Sequence, residues 1–139
     1  MITIVAAGAM LLGAASAGFA ATLVASIDVS EQTMTVKKHG AVLYKWRVST
    51  ARQGYVTPRG QYSPTRMHKM WYSRKYDMSP MPYSIFFRGG YAIHGTNYVK
   101  SLGRPASHGC VRLDTANAAK LYALVKEVGA GNTRIVVSN

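Results

Sequence analysis

Leu23, Ala25, Ile27 and Val29 occupy every second position of their segment, with small or polar residues between them. A period of two places all four side chains on one face of an extended chain, which is the signature of a half-buried strand rather than a helix. Thr33 to Lys37 repeats the pattern with Met34 and Val36. His39-Gly40 then reads as a hairpin turn into Ala41 to Val48, with Val42, Tyr44 and Trp46 predicted on one face. A chain that begins this way must build a sheet and cover it.

The remainder supplies more strand and one helix. Thr57-Pro58-Arg59-Gly60 is a turn, because proline fixes φ and glycine relaxes it. Tyr62 to Pro82, rich in proline, methionine and aromatic residues, is expected to be irregular. Tyr83 to Phe87 and Tyr91 to Ile93 read as strands around a Gly89-Gly90 turn. Asp114 is a good N-cap for a helix that places Ala118, Leu121, Tyr122, Val125 and Val128 on one face and ends at Gly129. Thr133 to Val137 closes the chain as a β-branched strand. The expectation is one mostly β domain carrying a single main α-helix near its C-terminus. At 139 residues the chain can bury a core without staples.

Residues 1–22 carry no charged side chain, and Ile2 to Ala20 is apolar or small. Gly18-Phe19-Ala20 offers small residues at the −3 and −1 positions of a cleavage site. Residues 1–20 are therefore read as a signal peptide, although it lacks a basic leader; an uncleaved anchor and a misassigned start are the alternatives. After cleavage no membrane span is expected, and the protein is placed in the periplasm or cell envelope. Lys and Arg number 17 against five acids, a net charge of +12. Such a charge favours polyanionic partners. No zinc finger, stacking-aromatic signature or basic recognition helix accompanies it, so nucleic acid is not the expected partner. A lone cysteine in an exported chain cannot close an internal disulfide. Cys110 is then either an inert buried thiol or a reagent.

The chemistry is concentrated in His94-Gly95-Thr96 and Ser107-His108-Gly109-Cys110-Val111-Arg112. A thiol becomes nucleophilic when a base or positive surroundings make it a thiolate, and histidine can supply both. Gly109 permits a tight turn and is expected to leave amide N–H groups free for an oxyanion. Arg112 and Arg104 add positive charge that favours thiolate and can hold a substrate carboxylate. None of the five acids lies between His94 and Cys110. A backbone carbonyl beside His94 is therefore the expected orienting group, and a paired-carboxylate glycosidase is disfavoured. Zinc held by His94, His108 and Cys110 is the rival chemistry, but a single glycine between His108 and Cys110 is unlike the usual ligand spacing. No metal and no other cofactor is expected. The crowd of histidines and arginines predicts a Cys110 pKa well below the free-thiol value of about 8.5.

His94-Gly95-Thr96 followed by Ser101-Leu-Gly-Arg-Pro-Ala-Ser-His-Gly-Cys-Val-Arg-Leu113 resembles the L,D-transpeptidase catalytic domain of the YkuD type. The resemblance covers residues 23–139, taking in Glu31-Gln32, Ser49-Thr50 and Thr57-Pro58-Arg59-Gly60 upstream. It implies a β-sandwich or barrel-like fold and a cysteine enzyme acting on peptidoglycan stem peptides. Such an enzyme acylates itself with a tetrapeptide stem, releases D-alanine and passes the acyl group to an amine, forming a 3→3 cross-link. Some relatives attach envelope proteins or D-amino acids, or hydrolyse such links. Carried across, Cys110 matches the nucleophile, His94 the general base and the Gly95 carbonyl its orienting group. His108 matches a supporting histidine. The amides of Gly109 and Cys110 match the oxyanion hole. Arg112, Ser107, Arg104 and Thr96 fall on the substrate side. Only twelve residues separate His94 from Ser107, which is short for the family and puts the loop over the site in question. An L,D-carboxypeptidase or endopeptidase using the same cysteine, and a basic wall-binding module with an inactive site, remain as alternatives. The acceptor and the role of the Met67–Met81 aromatic segment are left open by the residues.

Overall fold

The computed structural model describes residues 21–139. The proposed signal peptide, residues 1–20, lies outside the described residues. The alternating segments fold as strands: β1 (Leu23–Asp28), β2 (Thr33–Lys38) and β3 (Ala41–Arg47) form an antiparallel meander. The C-terminal strand β9 (Thr133–Ser138) adds parallel to β1, and the short β4 (Gly60–Tyr62) pairs with β9. The first sheet thus has the order β3-β2-β1-β9-β4. The hairpin turn at His39-Gly40 has positive φ at both residues, which suits the right-handed twist of the strands it joins. A bulge between Val36 and Lys37 changes the expected face of β3. Tyr44 and Trp46 still stack, at 4.8 Å between centroids, but Val42 is 59% exposed. An extra residue in one strand shifts the side chains beyond it onto the other face.

The second sheet has the order β5-β6-β7-β8. The segment from Tyr62 to Pro82, expected to be irregular, is largely a long hairpin: β5 (Arg66–Ser73), a short 3-10 turn (Arg74–Tyr76) and β6 (Ser79–Arg88). Its prolines mislead because proline normally excludes a central strand. Here Pro80 and Pro82 pair with Tyr72 and Met70 on one side only. β6 meets β7 (Tyr91–Thr96) only from Ile85 onward, so the proline positions lie on a free edge where no N–H is required.

β8 (Val111–Asp114) runs parallel to β7, pairing Ile93 with Val111 and His94 with Arg112. The helix α1 (Thr115–Val128) begins immediately after β8; the Asp114 carboxylate accepts from the Ala116 N–H at 2.9 Å, and Gly129 ends the helix. Ala118, Leu121 and Val125 enter the core that both sheets share, with Leu23, Ile27, Met34, Ile85, Ile93 and Leu113. A second, smaller cluster forms on the opposite face of the β5–β8 sheet: Met81, Phe86 and Ala92, with Trp71 and Cys110 against it. That outer face carries the candidate site. No helix among the described residues is long and apolar enough to cross a membrane.

Candidate active site

Parity along β7 separates the two faces. Ile93 points into the core, while Ala92, His94 and Thr96 point the other way. Continuing the β7–β8 register back one position sets Cys110 beside Ala92. Cys110 and His94 therefore share a face, offset by two residues, about 6.6 Å along the strand. The Cys110 thiol lies 3.8 Å from the Gly90 carbonyl and near the Ala92 N–H.

His94 is 7% exposed, and its Nδ1 lies 2.8 Å from the Gly95 carbonyl. A carbonyl can only accept, so Nδ1 carries the proton and Nε2 keeps its lone pair. Burial pulls the His94 pKa down to about 4; the Gly95 bond opposes this and the Arg112 charge adds to it. Gly95 must be glycine, because a Cβ there would come within 2.9 Å of the Thr115 Cα at the start of α1.

The Cys110 thiol departs from expectation. Burial raises its pKa above the ordinary value, and the Ala92 N–H and the Arg112 charge only partly offset this. The predicted low pKa counted neighbouring charges but could not count desolvation where Cys110 packs against Met81, Phe86 and Ala92. Burial thus favours the neutral form of both Cys110 and His94.

The loop before Cys110 is braced from several directions. Gly109 has φ +132°, and a Cβ there would sit 2.6 Å from the Tyr91 ring. Its carbonyl accepts from Thr57 Oγ1 at 2.8 Å, and that hydroxyl accepts from the Ala51 N–H at 3.0 Å. Buried Ser107 donates through Oγ to the Cys110 carbonyl at 2.6 Å. The same Oγ accepts from the Gly109 N–H at 3.0 Å. The Gly109 amide, expected to be free, is thus engaged, because the hydroxyl two residues earlier folds back onto it. Ser107 in turn exchanges backbone bonds with Thr50 and Arg52. Thr50 is clamped by buried Gln32, whose amide oxygen accepts from the Thr50 N–H at 2.9 Å and whose amide nitrogen donates to Thr50 Oγ1. The upstream Gln32, Ser49-Thr50 and Thr57 motifs therefore converge beneath the cysteine loop.

The other residues singled out in the sequence are dispersed. Arg112 is half-buried on the His94–Cys110 face, and its guanidinium donates to the Ala106 carbonyl at 3.4 Å. Thr96 is buried at the end of β7 and accepts from the Tyr98 N–H. Arg104 stands exposed on the connecting loop, and the charges acting on Cys110 and His108 are not its own. His94, His108 and Cys110 do not converge as metal ligands, and no such group of three occurs among the described residues.

Sequence reasoning missed what surrounds His108. Tyr76, from the tip of the β5–β6 hairpin, stacks on the imidazole at 4.0 Å and 13°, and Tyr55 meets it edge-on at 4.8 Å. Lys75 lies over Tyr76 and Arg52 over Tyr55. Burial lowers the His108 pKa first, and then the charges of Arg52, Arg112 and Lys75. Only the density of aromatic and basic residues in the Met67–Met81 segment hinted at this.

Residues 23–137 match the model of the YkuD L,D-transpeptidase catalytic domain. The chain belongs to this family. Among solved structures, an L,D-transpeptidase from Mycobacterium smegmatis superposes with TM-score 0.75 at 26% identity, covering 86% of this chain and 59% of that one. One from Xylanimonas cellulosilytica gives TM-score 0.73 at 27% identity, covering 86% and 61%. L,D-transpeptidase 3 from Mycobacterium tuberculosis, solved with a faropenem-derived adduct, gives TM-score 0.73 at 20% identity over 86% and 61%. The chain thus spans about three fifths of these relatives' length. No curated protein matches the sequence. The L,D-transpeptidase fold expected from the resemblance, mostly β with one helix near the C-terminus, is the fold observed.

Proposed function

We propose that this L,D-transpeptidase domain acylates itself at Cys110 with a peptidoglycan stem tetrapeptide and transfers the acyl group to an amine. The observation that carries the reading is the pairing of Cys110 with a tautomer-fixed His94 on one face of the β7–β8 ladder. His94 Nε2 takes the thiol proton as sulfur attacks the stem carbonyl, so thiolate forms only during attack. The Cys110 N–H receives the developing oxyanion, joined by the Gly109 N–H when Ser107 Oγ turns away. The imidazolium then returns the proton to the departing D-alanine amine. An incoming amine attacks the thioester, His94 takes its proton, and the new amide leaves Cys110 free. Arg112, on the same face, holds a stem carboxylate, while His108 shapes the site wall. Ser107 positions the nucleophile loop, and Thr96 supports the end of β7. Arg104 is an outlying contact. The domain acts in the periplasm or cell envelope after cleavage of residues 1–20, with a stem peptide or an envelope protein as acceptor and no nucleic acid.

Hydrolysis by the same cysteine is the second reading, supported by the partial exposure of Cys110, which gives water a route to a thioester there. Product analysis with a disaccharide-tetrapeptide separates the two. Cross-linked dimer with released D-alanine is expected; D-alanine without dimer makes the domain a carboxypeptidase. No product from the wild type would leave a basic wall-binding module.

A further inference from the structure

The acids of this chain are few and their positions are all described. Asp28 is bonded to Ser30 and the Glu31 N–H, and Asp114 caps α1. Glu127 pairs with Lys38, the only ion pair among the described residues. Glu31 lies in the β1–β2 turn, and Asp77, at the hairpin tip, forms no ion pair with its neighbour Lys75. The rim of the candidate site is therefore net basic: Arg52, Lys75 and Arg112 stand against the single acid Asp77.

Its cations are also held in place. Tyr76, His108 and Tyr55 form a continuous aromatic row beside the cysteine loop. Lys75 Nζ caps one end, 5.5 Å from the Tyr76 centroid, and the Arg52 guanidinium caps the other, 5.1 Å from Tyr55. Both distances are within reach of a cation–π contact, which restrains a long side chain without neutralising it. The Arg52 backbone is fixed as well, donating to the Ser107 carbonyl at 2.9 Å. Both side chains remain exposed and both charges reach His108, and half-buried Arg112 lies on the Cys110 face. Two cations restrained over aromatic rings, in a rim where Asp77 is the one acid and is not ion-paired, favour a peptide with more than one free carboxylate. A stem whose carboxylates are amidated loses the charge that they read.

Resting on the proposed stem-peptide function, we propose that Arg52 and Lys75 are specificity-determining residues that select donor stems with free side-chain carboxylates over amidated stems. The test compares one tetrapeptide in its free-carboxylate and amidated forms, with the wild type, Arg52→Gln/Lys75→Gln and Arg52→Lys/Lys75→Arg. The wild type should favour the free form by about tenfold in kcat/KM, carried by KM, the ratio expected of one charge-assisted contact. The ratio should collapse toward one in the Gln pair and return in the charge-conserving pair. Calorimetric binding of both peptides to Cys110→Ala gives the same comparison without chemistry, and 0.5 M salt should erase the preference. Equal turnover of the two forms, or a ratio unchanged in the Gln pair, overturns the selectivity and leaves the transpeptidase reading standing. Selective binding by Cys110→Ala with no product from the wild type sinks the catalytic reading and supports the rim. Equal binding with no product overturns both.

Discussion

The base role proposed for His94 requires a neutral imidazole, and burial favours that form. Its pKa of about 4 lies below the unfolded value of 6.5, so the unfolded chain binds the extra proton between those limits. The stabilisation from burying a neutral imidazole is complete above pH 6.5 and is lost as pH falls toward 4, about 3 kcal/mol in all. Urea denaturation at pH 7 and pH 4.5 should show most of that loss in the wild type and a flatter dependence in His94→Gln. The cysteine gives the complementary result. Burial raises the Cys110 pKa, so iodoacetamide should label the resting domain with a rate that climbs only above the ordinary thiol range. A rate already at its plateau at pH 7 would mean a preformed thiolate. Gly109→Ala combines a φ of +132° with a Cβ driven against Tyr91. A loss of about 1–3 kcal/mol in stability is expected, with the proposed acylation reduced further as the Cys110 loop shifts. The grouping of Cys110 with His94 on one face was legible in the sequence from the short spacing of their motifs. Desolvation was not, because the Met81, Phe86 and Ala92 cluster against which Cys110 packs is assembled only by the folded sheet.

The elements divide in the same way. Period-two segments and the capped helix were legible because each buries its own face. The β5–β6 hairpin was not, since its prolines are admitted only by an edge left unpaired in three dimensions. Its tip is the part that touches the site, through Tyr76 on His108. The first sheet contributes through Gln32, which joins the β1–β2 turn to the Thr50 segment beneath the cysteine loop. Gln32→Ala leaves the Thr50 N–H buried without its side-chain partner. A cost of about 1–3 kcal/mol is expected, measurable by thermal denaturation. Activity should fall at temperatures where the fold persists, because the same bonds seat Ser107.

Across the whole molecule, two parallel pairings, β1 with β9 and β7 with β8, close the structure. Neither could be read from local pattern, because each joins segments distant in sequence. A net charge of +12 with one ion pair among the described residues implies a fold that repels itself. Its melting temperature should rise as NaCl goes from 10 to 150 mM. A fall would show that local ion pairing outweighs the global charge. Electrostatics, fold and site meet at one atom, the Cys110 sulfur. The most direct measurement is the intact mass of the purified domain quenched during turnover of a disaccharide-tetrapeptide, with peptide mapping. An adduct equal to the stem minus D-alanine, mapped to Cys110 in the wild type and missing from Cys110→Ala, is the predicted result. Cross-linked product formed without that adduct, or formed equally by Cys110→Ala, would contradict it.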